Sequence, residues 1–404
     1  MLRATLTLLA GGALAQALPL LLGPLLTRLY APDEFGAFHL FAAVATNLGV
    51  VACGRYEFAL PLAQGDAEAA ALWRLAARLA AGAGALAGLG GISWAWWTHA
   101  GWALWLGPAV AVGGALSLAT LWATRAGCFQ ALAVARVLQY GGAALAQALA
   151  GVLHGGVAGL VIAPIVAQAL AAALLHAAAG SPARAGAGAV PLAEVARRHR
   201  DFPLLNTPHA FLGALQDTVS IALIAAVAGP AAAGFWGLAL RYLKAPATLV
   251  GGAVSQALYP RLTATGAGPT RAGRQAVRRV IALLAALALL WGGMLMLAGP
   301  WLFETLFGVQ WRTAGELSRT LAPYIGAHFV ASPLAVVTMA WQAQGWALRL
   351  ALVGQAVFVA ALALGLQVGG LAGAGWAVSL AMAGYFGWYF WRLMTWTVND
   401  DGTP

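Results

Sequence analysis

Gly180-Ser-Pro-Ala-Arg-Ala-Gly-Ala-Gly-Ala-Val-Pro-Leu-Ala-Glu-Val-Ala-Arg-Arg-His-Arg-Asp201 is the longest polar interruption in the chain. Its first part, through Gly188, has the composition of a flexible linker. From Pro191 to Phe202 the pattern changes. Leu192, Val195, His199 and Phe202 fall on one side of a helix, and Arg197, Arg198 and Arg200 fall largely on the other. That is the pattern of an amphipathic helix at a membrane interface. On each side of the interruption stand about six apolar segments of membrane-spanning length. The reading is helices near 4–28, 36–55, 68–97, 102–124, 129–153 and 157–179, then 204–228, 231–262, 276–299, 314–339, 346–367 and 371–396. The expected organisation is an all-α integral membrane protein of about 12 transmembrane helices in two six-helix lobes around a central cleft. The lobes are 1–180 and 204–404, with 181–203 as linker and interfacial helix.

Composition supports that reading. Of 404 residues, 62% are hydrophobic and 8% are charged. A soluble domain is typically about 25% charged, so a chain this poor in charge cannot cover a water-facing surface. The net charge is +10, almost all arginine. No basic run forms a soluble module, which argues against nucleic acid as a partner. Sixteen of the 22 basic residues fall in one set of alternating gaps between spans. These are Arg3; Arg55, Arg74 and Arg78; Arg125; Arg184, Arg197, Arg198 and Arg200; Arg261, Arg271, Arg274, Arg278 and Arg279; Arg349; and Arg392. The opposite set has Arg28, Arg312 and Arg319. Positive charge stays on the cytoplasmic side, so the sorting predicts an inner-membrane protein with both termini cytoplasmic. The first segment is too long for a signal-peptide core and is expected to remain as helix one. Cys53 and Cys128 are isolated in apolar context and read as small core residues.

The two halves echo each other. The first hairpin turns through Pro32-Asp-Glu-Phe-Gly36, and the seventh-to-eighth turn reads Pro230-Ala-Ala-Ala-Gly234. Equivalent placement in each half predicts parallel repeats about an axis along the membrane normal, with a substrate cleft between them. Asp33 and Glu34 read as the acidic start of helix two.

Charges inside spans are costly and are expected to face a cavity or a partner. Asp217 and Arg241 lie equally far from Gly229, at roughly 18 Å along antiparallel helices. Two readings stand for the pair. It locks two helices together, or Arg241 binds an anion in the cleft with Asp217 as counter-charge or proton-coupling group. Lys244 is about one turn further on and extends the same cationic stripe. Pro246 is expected to bend or break this helix. Helix one carries Gln16, Gly23 and Thr27 on one face, with Pro19 and Pro24 expected to interrupt it. Arg28 at its outer end either snorkels to the interface or lines the cleft. Arg55-Tyr-Glu57 places a close charge pair at the cytoplasmic mouth. It reads as an interfacial anchor or as part of the cleft. A planar guanidinium donates two parallel hydrogen bonds and stays charged, so a cationic cleft suits a diphosphate head. The seven histidines show no metal spacing, and no Gly-rich phosphate loop points to ATP.

Several stretches resemble one family in order along nearly the whole chain. Pro24-Leu-Leu-Thr-Arg-Leu-Tyr-Ala-Pro-Asp-Glu-Phe-Gly36 is similar to the first hairpin of the polysaccharide-transport family of bacterial flippases. Arg55-Tyr-Glu-Phe-Ala-Leu-Pro61 with Asp66-Ala-Glu-Ala69 resembles its second-helix exit. Phe202-Pro203, Gly234-Phe-Trp-Gly-Leu-Ala239 and Ser255-Gln-Ala-Leu-Tyr-Pro-Arg261 resemble its seventh and eighth helices. Trp311 with Leu321-Ala-Pro323 resembles the start of its tenth. The family lies in the multidrug/oligosaccharidyl-lipid/polysaccharide exporter superfamily.

The resemblance implies a transporter, not an enzyme. It implies an undecaprenyl-diphosphate-linked oligosaccharide as substrate, moved from the cytoplasmic to the periplasmic leaflet by alternating access. It also implies a polysaccharide polymerase as an associated partner and no bound cofactor, with a proton or sodium gradient as the candidate coupling source. Ala239-Leu-Arg-Tyr-Leu-Lys-Ala-Pro246 resembles the eighth-helix segment that supplies a cavity arginine in lipid II flippases. Arg241, with Lys244, Arg28 and Arg55, is then expected to hold the diphosphate, with Asp217 and Glu57 as coupling groups or counter-charges. The extra C-terminal helices of lipid II flippases are expected to have no counterpart. The alternative is a cation-coupled small-molecule exporter of the same superfamily. A membrane-embedded glycan polymerase or acyltransferase is a further alternative, which would need large loops with catalytic acids or histidines.

Overall fold

The computed structural model describes residues 2–180, 190–264 and 269–397, with the side chains of 2–10 and of Ala13 left undescribed. The linker run expected at 181–189, including Arg184, lies outside the described residues, as does the side chain of Arg3. Among the described residues the chain is helical, without a strand. Eight helical segments among the described residues are long and apolar enough to cross a membrane. The architecture is that of a multi-pass, all-α membrane protein.

Packing divides the chain into two compact units, Met1–Ile221 and Ala222–Pro404. The first contains α1 (Leu2–Leu29), α2 (Pro32–Val51), a 3-10 turn (Tyr56–Leu62), α3 (Asp66–Thr98), α4 (Leu106–Arg125), α5 (Phe129–Val137), α6 (Ala143–Val152), α7 (Gly156–Ala179) and the short α8 (Leu192–Arg198). It also takes in the first part of α9 (Thr207–Ala228). The packing division at 221 lies later than the linker-based one at 204. The early turns of α9 are tied to α2: Thr218 Oγ1 donates to the Ala43 carbonyl at 3.1 Å and lies 3.2 Å from Asn47 Nδ2, which donates to it. The second unit contains the end of α9, α10 (Pro230–Thr263), α11 (Arg271–Phe307), α12 (Arg312–Ala331), α13 (Ala335–Ala340) and α14 (Gln344–Met394).

The expected spans map onto these helices. α5 and α6 join through a π turn at Leu138–Gly142, covering the span expected at 129–153. α12 and α13 join through Ser332–Leu334. α14 is two arms meeting at Gly369 and Gly370, where the backbone leaves helical geometry and Gly370 has φ 58°. Residues with side chains rarely adopt that φ, so glycine is the natural corner between two apolar arms.

Prolines inside the spans do not break their helices. α1 runs uninterrupted through Pro19 and Pro24, and α10 runs unbroken through Pro246. In apolar surroundings a helix satisfies almost every backbone group internally, so one missing donor does not end it. Pro32 and Pro230 instead sit in the first turns of α2 and α10. There the missing N–H is unneeded and the fixed φ is already helical. Glu34 Oε2 accepts from the Ala31 N–H at 2.8 Å, closing the start of α2. In each unit the glycine of the repeat is buried beside a buried ring, Phe35 or Trp236.

Close helix contact in the first unit depends on missing side chains. A Cβ on Gly107 of α4 would stand 2.7 Å from the Cα of Gly88 on α3. Small residues let apolar helices approach until backbones touch, which is how helices associate without a hydrophobic drive between them.

α8 is docked onto the first unit. Val195 is fully buried, and the Tyr56 hydroxyl donates to the Ala196 carbonyl at 3.2 Å. Buried Glu68 is the anchor: it accepts from Gln64 N at 2.9 Å and Arg198 Nη1 at 3.0 Å, and His199 Nε2 lies 3.1 Å away. Arg198 also reaches Glu194 at 3.1 Å. Regular helix ends at Arg198, earlier than the Phe202 expected from the apolar pattern.

Candidate functional site

The predicted residues fall into separate places, and each unit is taken by itself. In the second unit, Arg241 and Lys244 sit on α10, both half-buried. Lys244 Nζ stands 5.8 Å from the centroid of the Tyr324 ring of α12. An ammonium over an aromatic face is attracted by the ring quadrupole, and more strongly where water is scarce. Tyr324 in turn packs against His328 and Phe358, with ring centroids 5.8 and 5.4 Å apart. Tyr242, between the two cations in sequence, packs on Phe307 with centroids 4.6 Å apart. The result is two cations about one turn apart on α10, Lys244 facing an aromatic ring and Tyr242 packed between α10 and α11. Tyr324 was missed in the sequence; it directly follows Leu321-Ala-Pro323, and nothing local marks it as the partner of a lysine far earlier in the chain.

In the first unit, Arg28 is exposed in the last turn of α1. Arg55 lies beyond the other end of α2, about 30 Å away at helical rise. These two cations therefore do not share one site. Asp217 is exposed on α9. It belongs to the first unit and Arg241 to the second.

Arg55 and Glu57 do come together, but not as a pair at an open surface. Gly54 and Arg55 both adopt left-handed backbone, with φ 58° and 61°. That reversal turns the chain out of α2 into the 3-10 turn and carries Glu57 inward. Glu57 is 1% exposed. Its Oε1 accepts from Ser117 Oγ of α4 at 3.4 Å, while Oε2 is buried with no hydrogen-bond partner among the described residues. Burial pushes the Glu57 carboxyl above its ordinary value, opposed by its own backbone N–H, by Arg55 and by Ser117. The Arg55 guanidinium stacks 4.2 Å from the centroid of the Phe58 ring, and its Nε is buried without a partner among the described residues.

Arg55 and Ser117 line a cavity of about 360 Å³ inside this unit. Phe38, Phe41, Val161 and Ile165 form apolar wall, and Gln139 and Gln168 add amide groups. An apolar chamber with one cation and a few convergent polar groups suits a small amphiphile with an anionic head.

The comparisons with known proteins follow from this architecture. Residues 83–316, more than half of the chain, match the family described as polysaccharide biosynthesis protein. No curated protein matches the sequence. Among solved structures, the chain is similar to an inward-facing multidrug resistance MATE family transporter of the MOP superfamily, with TM-score 0.69, 15% identity and 94% of each chain covered. It is similar to the lipid II flippase MurJ in an inward closed conformation, with TM-score 0.67 and 9% identity over 98% of this chain and 90% of that one. A Vibrio cholerae MATE transporter aligns with TM-score 0.54 and 15% identity over 97% of this chain and 95% of the other. At these identities the structures establish the fold alone, which this chain shares with those transporters. By its sequence match the chain belongs to the polysaccharide biosynthesis protein family.

Proposed function

We propose that the protein is a flippase that moves a polyprenyl-diphosphate-linked oligosaccharide from the cytoplasmic to the periplasmic leaflet of the bacterial inner membrane by alternating access. The observation that carries this reading is the pair of half-buried cations Arg241 and Lys244 about one turn apart on one long helix, with Lys244 facing the Tyr324 ring. Charged side chains inside membrane spans are costly and rare, and they mark substrate pathways and binding sites. The family match and the fold shared with a lipid II flippase support the substrate class. Arg241 and Lys244 neutralise the diphosphate near mid-membrane. Arg28 and Arg55, at opposite ends of α2, meet the head group at different points of its passage. Asp217 serves as counter-charge or coupling group, under a proton or sodium gradient. The sorting of arginines supports a cytoplasmic location for both termini. The protein carries out transport, not catalysis, and a polysaccharide polymerase receives the delivered lipid-linked unit.

In cells lacking this chain, Arg241→Ala is expected to give no surface glycan above background while inserting normally in the membrane. Normal glycan output from that variant would remove Arg241 from the mechanism. The fold shared with multidrug transporters favours a second reading, cation-coupled export of small molecules. It predicts substrate-dependent drug resistance on expression and no effect on glycan output.

A further inference from the structure

We propose that the cavity inside the first unit is a linked anion–proton site: a phosphate- or diphosphate-bearing amphiphile binds at Arg55, and Glu57 takes up a proton as it does. The inference rests on the reading of Arg55 as a head-group ligand and adds what its neighbour does.

Three observations carry it. Ser117 belongs to both groups: it lines the cavity with Arg55 and donates to Glu57 Oε1. Arg55 Nε and Glu57 Oε2 are each buried without a hydrogen-bond partner among the described residues. Of the cations near Glu57, Arg55 is the one that favours its ionised form. Arg125 of α4 is committed elsewhere, donating to the Leu60 and Ala63 carbonyls and pairing with Asp66. Glu68, at the start of α3, is held by Arg198 and His199. Cys53 and Tyr56 lie at the turn, Tyr140 lines the cavity, and His39 packs against the cavity-lining Phe38. Burial raises Cys53 and Tyr56, so both remain neutral at physiological pH.

The coupling follows from charge. Arg55 offsets the negative charge of Glu57 in the apo cavity. An anion bound to the guanidinium cancels that offset, and a carboxylate already disfavoured by burial then binds a proton. The proton comes from solvent and ends on the unpartnered Oε2; Ser117 keeps its bond to Oε1. Linkage makes the effect reciprocal, so lower pH tightens anion binding by the factor by which the anion favours protonation. The head could belong to a lipid or to a free phosphate compound. The apolar walls favour the amphiphile.

The test is calorimetric titration of the purified full chain in neutral detergent, in two buffers of different ionisation enthalpy, which gives protons taken up per ligand bound. One arm uses a short-chain prenyl diphosphate and the other inorganic pyrophosphate. The expected result is tighter binding of the prenyl compound, with more protons taken up by wild type than by Glu57→Gln. Wild-type affinity is expected to fall about tenfold as pH rises through the Glu57 titration, the ordinary scale of such couplings. Glu57→Gln should lose that pH dependence beyond the ligand's own. Arg55→Ala should weaken binding at least tenfold, with Arg55→Lys as the better-folded check. Equal proton uptake in wild type and Glu57→Gln would overturn the linkage while leaving Arg55 as a ligand. Equal binding by wild type and both Arg55 variants would overturn the Arg55 reading and the linkage with it. Pyrophosphate binding as tightly as the prenyl compound would overturn the amphiphile assignment.

Discussion

Glu57 lies in the turn between α2 and α3 and Glu68 in the first turn of α3, and both are buried, at 1% and 7% exposure. Their surroundings differ. Glu68 has a full set of partners: a backbone N–H, a guanidinium and an imidazole. Glu57 has a side-chain hydroxyl at 3.4 Å on one oxygen, no hydrogen-bond partner among the described residues on the other, and besides these the influence of its own backbone N–H and of Arg55. A buried charge that is fully paired holds structure together, because removing it strands its partners. A buried charge that is incompletely paired costs stability, and a fold retains it where it changes state. Glu68 thus fastens α8 to the first unit, whereas Glu57 is available to titrate.

Stability in detergent tests that contrast. Cys53 is free and 1% exposed, so its reaction with a thiol dye on heating, in a Cys128→Ala background, reports opening of the first unit. Glu68→Ala should have the largest effect, about 2 kcal/mol, the scale of hydrogen bonds to charged groups. It should also make α8 more susceptible to protease. Unchanged melting and cleavage would show that Arg198 and His199 find water as readily as they find Glu68. Tyr56→Phe removes one neutral hydrogen bond to α8 and should cost about 1 kcal/mol. A loss as large as that of Glu68→Ala would move the anchor from the carboxylate to the hydroxyl.

Glu57→Gln should have the smallest effect at neutral pH, within about 0.5 kcal/mol or slightly stabilising, since an amide is easier to bury than a carboxylate. Its signature lies in pH dependence. The folded carboxyl holds its proton more tightly than the unfolded one. The folded state therefore binds more protons as pH rises from the ordinary glutamate value near 4.5, and wild type loses stability across that window until the folded group ionises. Glu57→Gln should flatten this slope, as followed by melting at a series of pH values. Parallel pH profiles for the two proteins would show that Glu57 titrates no differently in the folded and unfolded states.

Most of the helical framework was legible because it depends on length and apolarity, which are local. The linker helix was readable for the same reason: Leu192 and Val195 mark its inner face. Its anchor was not, since Glu68 lies far upstream and an acidic residue in the first turn of a helix has a sufficient local explanation. Pro19 and Pro24 misled because the effect of a proline depends on surroundings, and an apolar environment keeps α1 helical where water would let it open. Arg55 and Glu57 were identified as a charge pair, but the left-handed Gly54-Arg55 corner that buries Glu57 has no marker beyond one glycine. Arg241 and Lys244 stood out as charges within an apolar run. The ring beneath Lys244 belongs to another helix and could not be read from α10.

The central claim is that the cations of α10 carry an anionic head group across the membrane. Its most direct test is leaflet-resolved accessibility of a polyprenyl-diphosphate-linked oligosaccharide in proteoliposomes, comparing empty vesicles, the wild-type protein and Arg241→Ala. The account predicts protein-dependent appearance on the opposite leaflet, reduced ~100-fold in Arg241→Ala, the loss expected when one partner of a desolvated charge pair is removed. Movement at the wild-type rate in Arg241→Ala, or no movement in any vesicle under any ion gradient, would contradict it.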